Sequence, residues 1–222
     1  MPDRSAAVRT GSERAAATRA RILAAARTEF AMSGFGGGRV ERVSALAGVN
    51  KERIYAYFGD KRGLFVATIA SAVQEVGETV GPVPADLAEF AGRLFDFMST
   101  HPETLRLLSW ARLEASEEMS AAAEHLIDLG RPEDDIARWQ AEGRVSPRWH
   151  PHDLVVLMWG LVEAPHMVPW RPGGADSAVV ERRRRSLVTE TMTLLAGHAD
   201  GPGSGPSAAD DPAPHADPSS PR

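Results

Sequence analysis

Cysteine is absent from this 222-residue chain, which excludes a disulfide framework, a thiol nucleophile, a thiolate zinc site and a cysteine-held iron–sulfur cluster. A reducing compartment is compatible with that absence. Long apolar runs are missing too. The longest stretch without a polar side chain, Leu154 to Val162, falls far short of the ~20 residues a bilayer-spanning helix needs. The N-terminus begins Met1-Pro2-Asp3-Arg4 and continues with mixed Arg, Ser, Glu and Ala, without the apolar stretch of a secretory signal. A cytoplasmic protein that does not enter a membrane is expected. Catalytic motifs are also lacking: Gly34-Phe-Gly-Gly-Gly-Arg39 has neither GxGxxG nor GxxxxGK(S/T) form, and no Gly-x-Ser-x-Gly occurs. His150-Pro-His152 has no nearby partners at metal spacing. No enzyme, cofactor or metal is expected.

What the chain does have is an uneven charge. The formal total is −5, yet residues 1–62 carry 12 basic and 6 acidic side chains, a local +6, and the remainder is −11. Both tyrosines, Tyr55 and Tyr57, lie in the basic part, and all five tryptophans, at 110, 139, 149, 159 and 170, lie in the acidic part. Two parts with two jobs is the simplest reading, the first being a candidate polyanion-binding module. A merely solvated basic face accounts for the same charges.

Helical spacing recurs along the chain, as in Ile22, Ala26, Phe30; Leu87, Phe90, Leu94, Phe97; and Leu154, Leu157, Met158, Leu161, whereas strand alternation does not. An all-α fold is expected. Stops at Gly34, Pro82, Pro84, Pro102 and the Gly143–Pro151 segment divide it into about nine helices, near 15–33, 40–47, 51–57, 61–79, 85–100, 102–115, 117–141 (continuous, or broken at Gly130 to Pro132), 152–168 and 176–196. Residues 1–14 are expected as a disordered basic arm. Residues 198–222, with six Pro among Gly, Ser, Ala and Asp, are expected as a solvated tail.

The most informative stretch is Val40 to Phe58, VERVSALAGVNKERIYAYF. Val40, Val43, Leu46 and Ala47 make one apolar face of a short helix, and Gly48 suits the left-handed residue that ends it. Asn50 is a good N-cap for a second helix whose Ile54 and Phe58 face inward. Lys51, Arg53, Tyr55 and Tyr57 then point outward. A helix exposing such side chains near its N-terminus suits a major groove, where Arg and Lys donate to guanine and Tyr hydroxyls reach phosphates. A helical hairpin with a solvated basic face fits the same pattern.

The stretch from Ile22 to Leu64 resembles the DNA-binding domain of the tetracycline-repressor (TetR) family of transcriptional regulators. The matching marks are Ala25 with Phe30, Gly34-Phe35, Ala47-Gly48-Val49, Tyr55-x-Tyr57-Phe58, and Lys61 followed by Leu64. Gly38 stands where the family usually has Thr, Ser44 where it has Ala, and Asn50 where Ser is common at the turn. The resemblance implies a three-helix helix-turn-helix domain over residues 15–62 and a helical effector-binding and dimerisation domain over 63–197. It further implies a homodimer that binds a palindromic duplex operator and is released by a small-molecule effector. Lys51, Glu52, Arg53 and Tyr55 match positions that meet base edges or flanking phosphates, and Tyr57 and Lys61 match phosphate contacts. Arg39, at the start of the second helix, is a further phosphate candidate. A helical ligand-sequestering or protein-interaction module without operator binding is the alternative, motivated by Gly38.

Effector-binding candidates come from chemistry alone. Trp110, Glu114, Trp159 and Glu163 combine aromatic faces with carboxylates at helical spacing, which suits an apolar or cationic ligand, and His166 could orient a polar group. Core packing with outward carboxylates explains them as well. The last two long helices carry apolar faces suited to a subunit interface. Arg182 to Arg185 point all around a helix and are expected as rim and ion-pair residues.

Overall fold

The glycine at position 34 sets the end of the first helix. In the computed structural model, which describes residues 4–82, 84, 86–114, 132–166 and 177–197 with side chains from Ser12 on, α1 (Arg4–Gly37) is regular until Gly34 takes φ 64°, ψ −174°. That conformation suits glycine, which carries no Cβ. At its other end α1 reaches back to Arg4, so residues 4–14, expected as a disordered arm, are helical. Ala6, Ala7 and Ala15 to Ala17 are strong helix formers and favour the extension of α1 to this end.

Two short helices follow, α2 (Val40–Ala47) and α3 (Lys51–Phe58). Gly48, left-handed at φ 62°, ψ 41°, stops α2, and Asn50 caps α3 by accepting a 3.0 Å hydrogen bond from the Arg53 N–H. Asp60 caps α4 (Lys61–Val80) in the same way, through the Gly63 N–H at 2.7 Å. α5 (Leu87–Thr100) and α6 (Pro102–Leu113) come next. α7 (Pro132–Ala141) is the described part of the helix expected over 117–141, the rest of which lies outside the described residues. α8 (Pro151–Glu163) runs into a 3-10 turn, Ala164–His166. α9 (Ser177–Arg183) continues through a π-helical segment, Arg184–Glu190, into α10 (Thr191–Ala196). The expected tail, 198–222, lies outside the described residues. Among those described there is no strand.

Two apolar cores organise the helices. Around the helix-turn-helix, Ile22, Ala26 and Phe30 of α1 meet Val43 of α2, Ile54 of α3 and Leu64 and Phe65 of α4. Phe30 and Phe65 pack edge to face at 5.0 Å between centroids. Leu107 of α6 is buried in this same cluster, so a helix beyond position 63 helps to build the N-terminal core. One expected member is outside it: Leu46 is 60% exposed, because α2 is only two turns long and buries the stripe of Val40, Val43 and Ala47 alone.

The second core is centred on α5, which buries Leu87, Ala91, Leu94, Phe95 and Met98. Leu154, Met158 and Val162 of α8 close on it, with Val188 and Met192 from the end of the chain. Gly92 leaves room for the Arg184 side chain, since a Cβ there would lie 3.0 Å from its guanidinium. Arg184 also pairs with Asp96 at 2.8 Å, which agrees with the ion-pair role expected in that arginine run.

Candidate nucleic-acid interface

The turn between α2 and α3 follows from its residues. Ile54, fully buried, anchors α3 to the core, and burial of a side chain of that size favours the packed state by roughly 1.5–3 kcal/mol. With that face inward, Glu52, Arg53, Tyr55 and Tyr57 are exposed and Lys51 is half-buried. Of the outward set expected from spacing, Arg53, Tyr55 and Tyr57 are exposed, while Lys51 is half-buried. Asn50 serves as the cap.

Several of these side chains already have partners. Lys51 Nζ lies 2.8 Å from Glu41 Oε1 on α2, and this hydrogen bond holds the Glu41 carboxyl below its ordinary pKa and the Lys51 ammonium above its own. The Tyr57 hydroxyl donates to the Ala15 carbonyl at 3.3 Å, tying α3 to α1. Arg39 is the N-cap residue of α2, with an exposed side chain and an N–H that donates to Glu29 Oε1 at 2.8 Å.

Glu29 escaped the sequence reading. It is only 5% exposed, and Arg42 Nε donates to both of its oxygens at 2.8 Å. That hydrogen bond, opposed by burial and reinforced by the Arg39 N–H, holds its carboxyl below the ordinary value. The available signal was an acid at position 29, directly beside Phe30 on the apolar stripe of α1.

Between α1 and α2 the chain makes a glycine-rich bend. Glu114, at the end of α6, accepts from the Phe35 N–H at 2.6 Å and the Gly36 N–H at 3.2 Å. Lys61 Nζ donates to the Gly36 carbonyl at 3.3 Å and sits 4.8 Å over the Phe35 ring. Arg42 Nη2 donates to the Gly37 carbonyl at 3.1 Å. Gly38, where the resemblance leads one to expect Thr, is buried against Phe30: a Cβ there would lie 2.6 Å from that ring. The missing side chain is thus a packing requirement of this chain.

The five effector candidates do not converge on one place. Trp110 and Glu114 share the face of α6 turned to the bend, where a Cβ on Gly34 would lie 2.8 Å from each. Arg112, on the opposite side of that helix, pairs with buried Glu163 at 2.5 Å. Trp159, Glu163 and His166 follow one another along one face of α8 and its 3-10 turn. Trp159 packs on the second core, and the His166 ring lies 5.1 Å from Phe95. Burial, with help from Arg183 and against Glu163, lowers the His166 pKa from its usual 6.5. Its Nε2 is buried with no hydrogen-bond partner among the described residues. A cleft of about 750 Å³ opens elsewhere, between α1, α4 and α6, with Arg19, Leu23, Arg27, Met32, Glu75 and Arg106 on its walls. None of the five lines it. Among the described residues no cluster of His, Asp and Glu could hold a metal, and no helix is long and apolar enough to cross a membrane.

Comparison with known proteins places this geometry in context. Residues 22–68 match the family described as bacterial regulatory proteins, tetR family, and residues 86–192 match the tetracyclin repressor-like C-terminal domain. The HTH-type transcriptional repressor SCO4008 of Streptomyces coelicolor is 34% identical over 167 residues, spanning 72% of this chain and 86% of that protein. The HTH-type transcriptional repressor NicS of Pseudomonas putida is 31% identical over 156 residues, spanning 64% and 72%. Among solved structures, SCO4942 from Streptomyces coelicolor superposes with a TM-score of 0.65 at 33% identity, covering 81% of this chain and 98% of that one.

Proposed function

The chain belongs to the TetR family of DNA-binding transcriptional regulators, and on that premise we propose that it is a homodimeric repressor that binds a palindromic operator and releases it when a small apolar molecule binds. One observation carries the proposal: α3, capped by Asn50 and pinned by Ile54, exposes Glu52, Arg53 and Tyr55 together at the surface. In this reading Arg53, Glu52, Lys51 and Tyr55 meet base edges or nearby phosphates, and Arg39, Tyr57 and Lys61 hold the backbone. Asn50 sets the start of the helix that enters the groove. Lys51 must exchange Glu41 for DNA, so its contribution is the difference between two charged partners.

The division of labour falls near residues 62 and 63, with residues 15–62 reading DNA and 63–197 holding the effector and the second subunit. Trp159, Glu163 and His166 are the effector-facing set. His166, packed against Phe95 and with an Nε2 that has no partner among the described residues, supplies one hydrogen bond beside an aromatic face, which favours a mostly apolar ligand with a polar group. Trp110 and Glu114, committed to the glycine bend, leave that set. The subunit interface uses α8 and the final helix, where Val156, Leu187 and Leu194 are 55%, 49% and 83% exposed in the single chain. A repressor of this kind works in the cytoplasm, beside the chromosome.

Titration of the purified chain with duplex DNA across salt concentrations tests the reading. Several phosphate contacts per subunit give an affinity that falls steeply and linearly in log–log form with salt. No binding to any duplex at low salt overturns it in favour of a ligand-sequestering module.

A further inference from the structure

We propose that Glu114 is a positioning residue for DNA contact, a carboxylate lent by the end of α6 that fixes the glycine bend which leads into Arg39 and on which Lys61, the first residue of α4, rests. The inference rests on the operator-binding reading above. Glu114 is 79 positions from Phe35 in the chain, yet its two oxygens take two consecutive backbone N–H groups, Phe35 at 2.6 Å and Gly36 at 3.2 Å. Such hydrogen bonds from neutral donors to a charged acceptor are stronger than those between neutral groups. They are possible because Gly34, at φ 64°, turns the chain out of the helix so that the next two N–H groups point at α6.

The rest of the bend is held from within the first 62 residues. Lys61 takes the Gly36 carbonyl, Arg42 the Gly37 carbonyl, and Glu29 the Arg39 N–H. The Gly38 N–H donates to the Gly34 carbonyl at 3.1 Å. Across residues 34–39 each of these backbone groups has a fixed partner, and among the described residues only Glu114 comes from outside the first 62. Trp110 fills the space beside Gly34 that a side chain would need, so the bend cannot slide toward α6. The carboxylate sets the bend's distance from α6, and through Gly36 and Lys61 that distance reaches the start of α4. Removing it leaves the helices packed while loosening the segment that leads into Arg39 and supports Lys61.

The test uses the full chain, with Glu114→Ala and Glu114→Gln as variants, and a duplex enriched from a random pool by the wild-type protein. Amide hydrogen exchange at Phe35 and Gly36 and affinity for that duplex are measured together. Glu114→Ala should speed exchange at both amides at least tenfold and weaken the duplex at least tenfold. Glu114→Gln, whose amide oxygen still accepts, should recover part of both effects and serves if the alanine variant does not fold. Affinity lost with exchange unchanged, or exchange raised with affinity unchanged, overturns the proposal. If the wild-type chain enriches no duplex, the operator reading has failed, and this proposal with it, whereas unaltered exchange in both variants overturns this proposal alone.

Discussion

Arg42 on α2 donates from one nitrogen to both carboxylate oxygens of Glu29 on α1, at 2.8 Å each, and the same carboxylate receives the first N–H of the α2 cap. A buried acid thereby joins α1 to α2, the first helix of the helix-turn-helix. Because Arg42 itself is about half exposed, the pair is partly screened by solvent. Glu29→Ala should cost about 1–3 kcal/mol of stability, through the lost hydrogen bonds to charged groups and backbone. Chemical denaturation of the purified variant measures it.

The sign of the pH dependence follows from the same pair. The folded-state pKa of Glu29 lies below its ordinary 4.5, so between the two values the unfolded chain binds more protons and stability rises with pH. The contribution is complete above 4.5, shrinks as pH falls below it, and is gone beneath the folded-state pKa. In Glu29→Gln that component of the acid-side slope should vanish, which denaturation at a series of pH values will show.

Arg53 and Lys61 should separate reading from holding. Arg53→Ala should weaken the preferred duplex by about 1–3 kcal/mol and relax preference at one symmetric pair of positions. Lys61→Ala should weaken all duplexes alike and reduce the salt slope by about one unit per subunit contact. Binding isotherms on matched and mutated duplexes distinguish the two, and identical behaviour would contradict the division of roles.

Much of this was legible in the sequence because it depends on short-range rules. Gly34, Gly48 and Asn50 announce helix ends by their own backbone preferences, and the inward set of α3 follows from 3.6-residue spacing. Leu46 was misjudged for a related reason: periodicity gives a face, while the width of the buried stripe depends on which helices arrive opposite it. The roles of Glu29 and Glu114 are set by partners 13 and 79 positions away, a distance at which residue type and spacing carry no signal. Trp110 shows the limit most clearly. An aromatic near a carboxylate is equally a ligand box or a packing wall until the glycine it covers is known.

Leu187 and Leu194 should carry the subunit interface. Leu194 is 83% exposed in the single chain, so Leu194→Glu costs the isolated subunit little. An unpaired carboxylate buried between subunits costs several kcal/mol. Sedimentation at micromolar concentration should show a folded monomer for the variant and a dimer for the parent chain, also after removal of residues 198–222.

Effector entry should be visible in tryptophan emission, since all five tryptophans lie beyond position 100. Trp159→Phe should reduce the change produced by an active compound from an apolar and cationic library, and Trp110→Phe should leave it nearly intact. His166→Gln should weaken compounds bearing a polar group more than those without one.

Selection of bound DNA from random duplexes is the measurement that bears most directly on the central claim. A dimer presenting two copies of α3 to one face of the duplex should enrich an inverted repeat with half-site centres about one helical turn apart, ~34 Å, or a multiple of it. Enrichment of no common sequence, or of a single half-site without symmetry, would contradict the account.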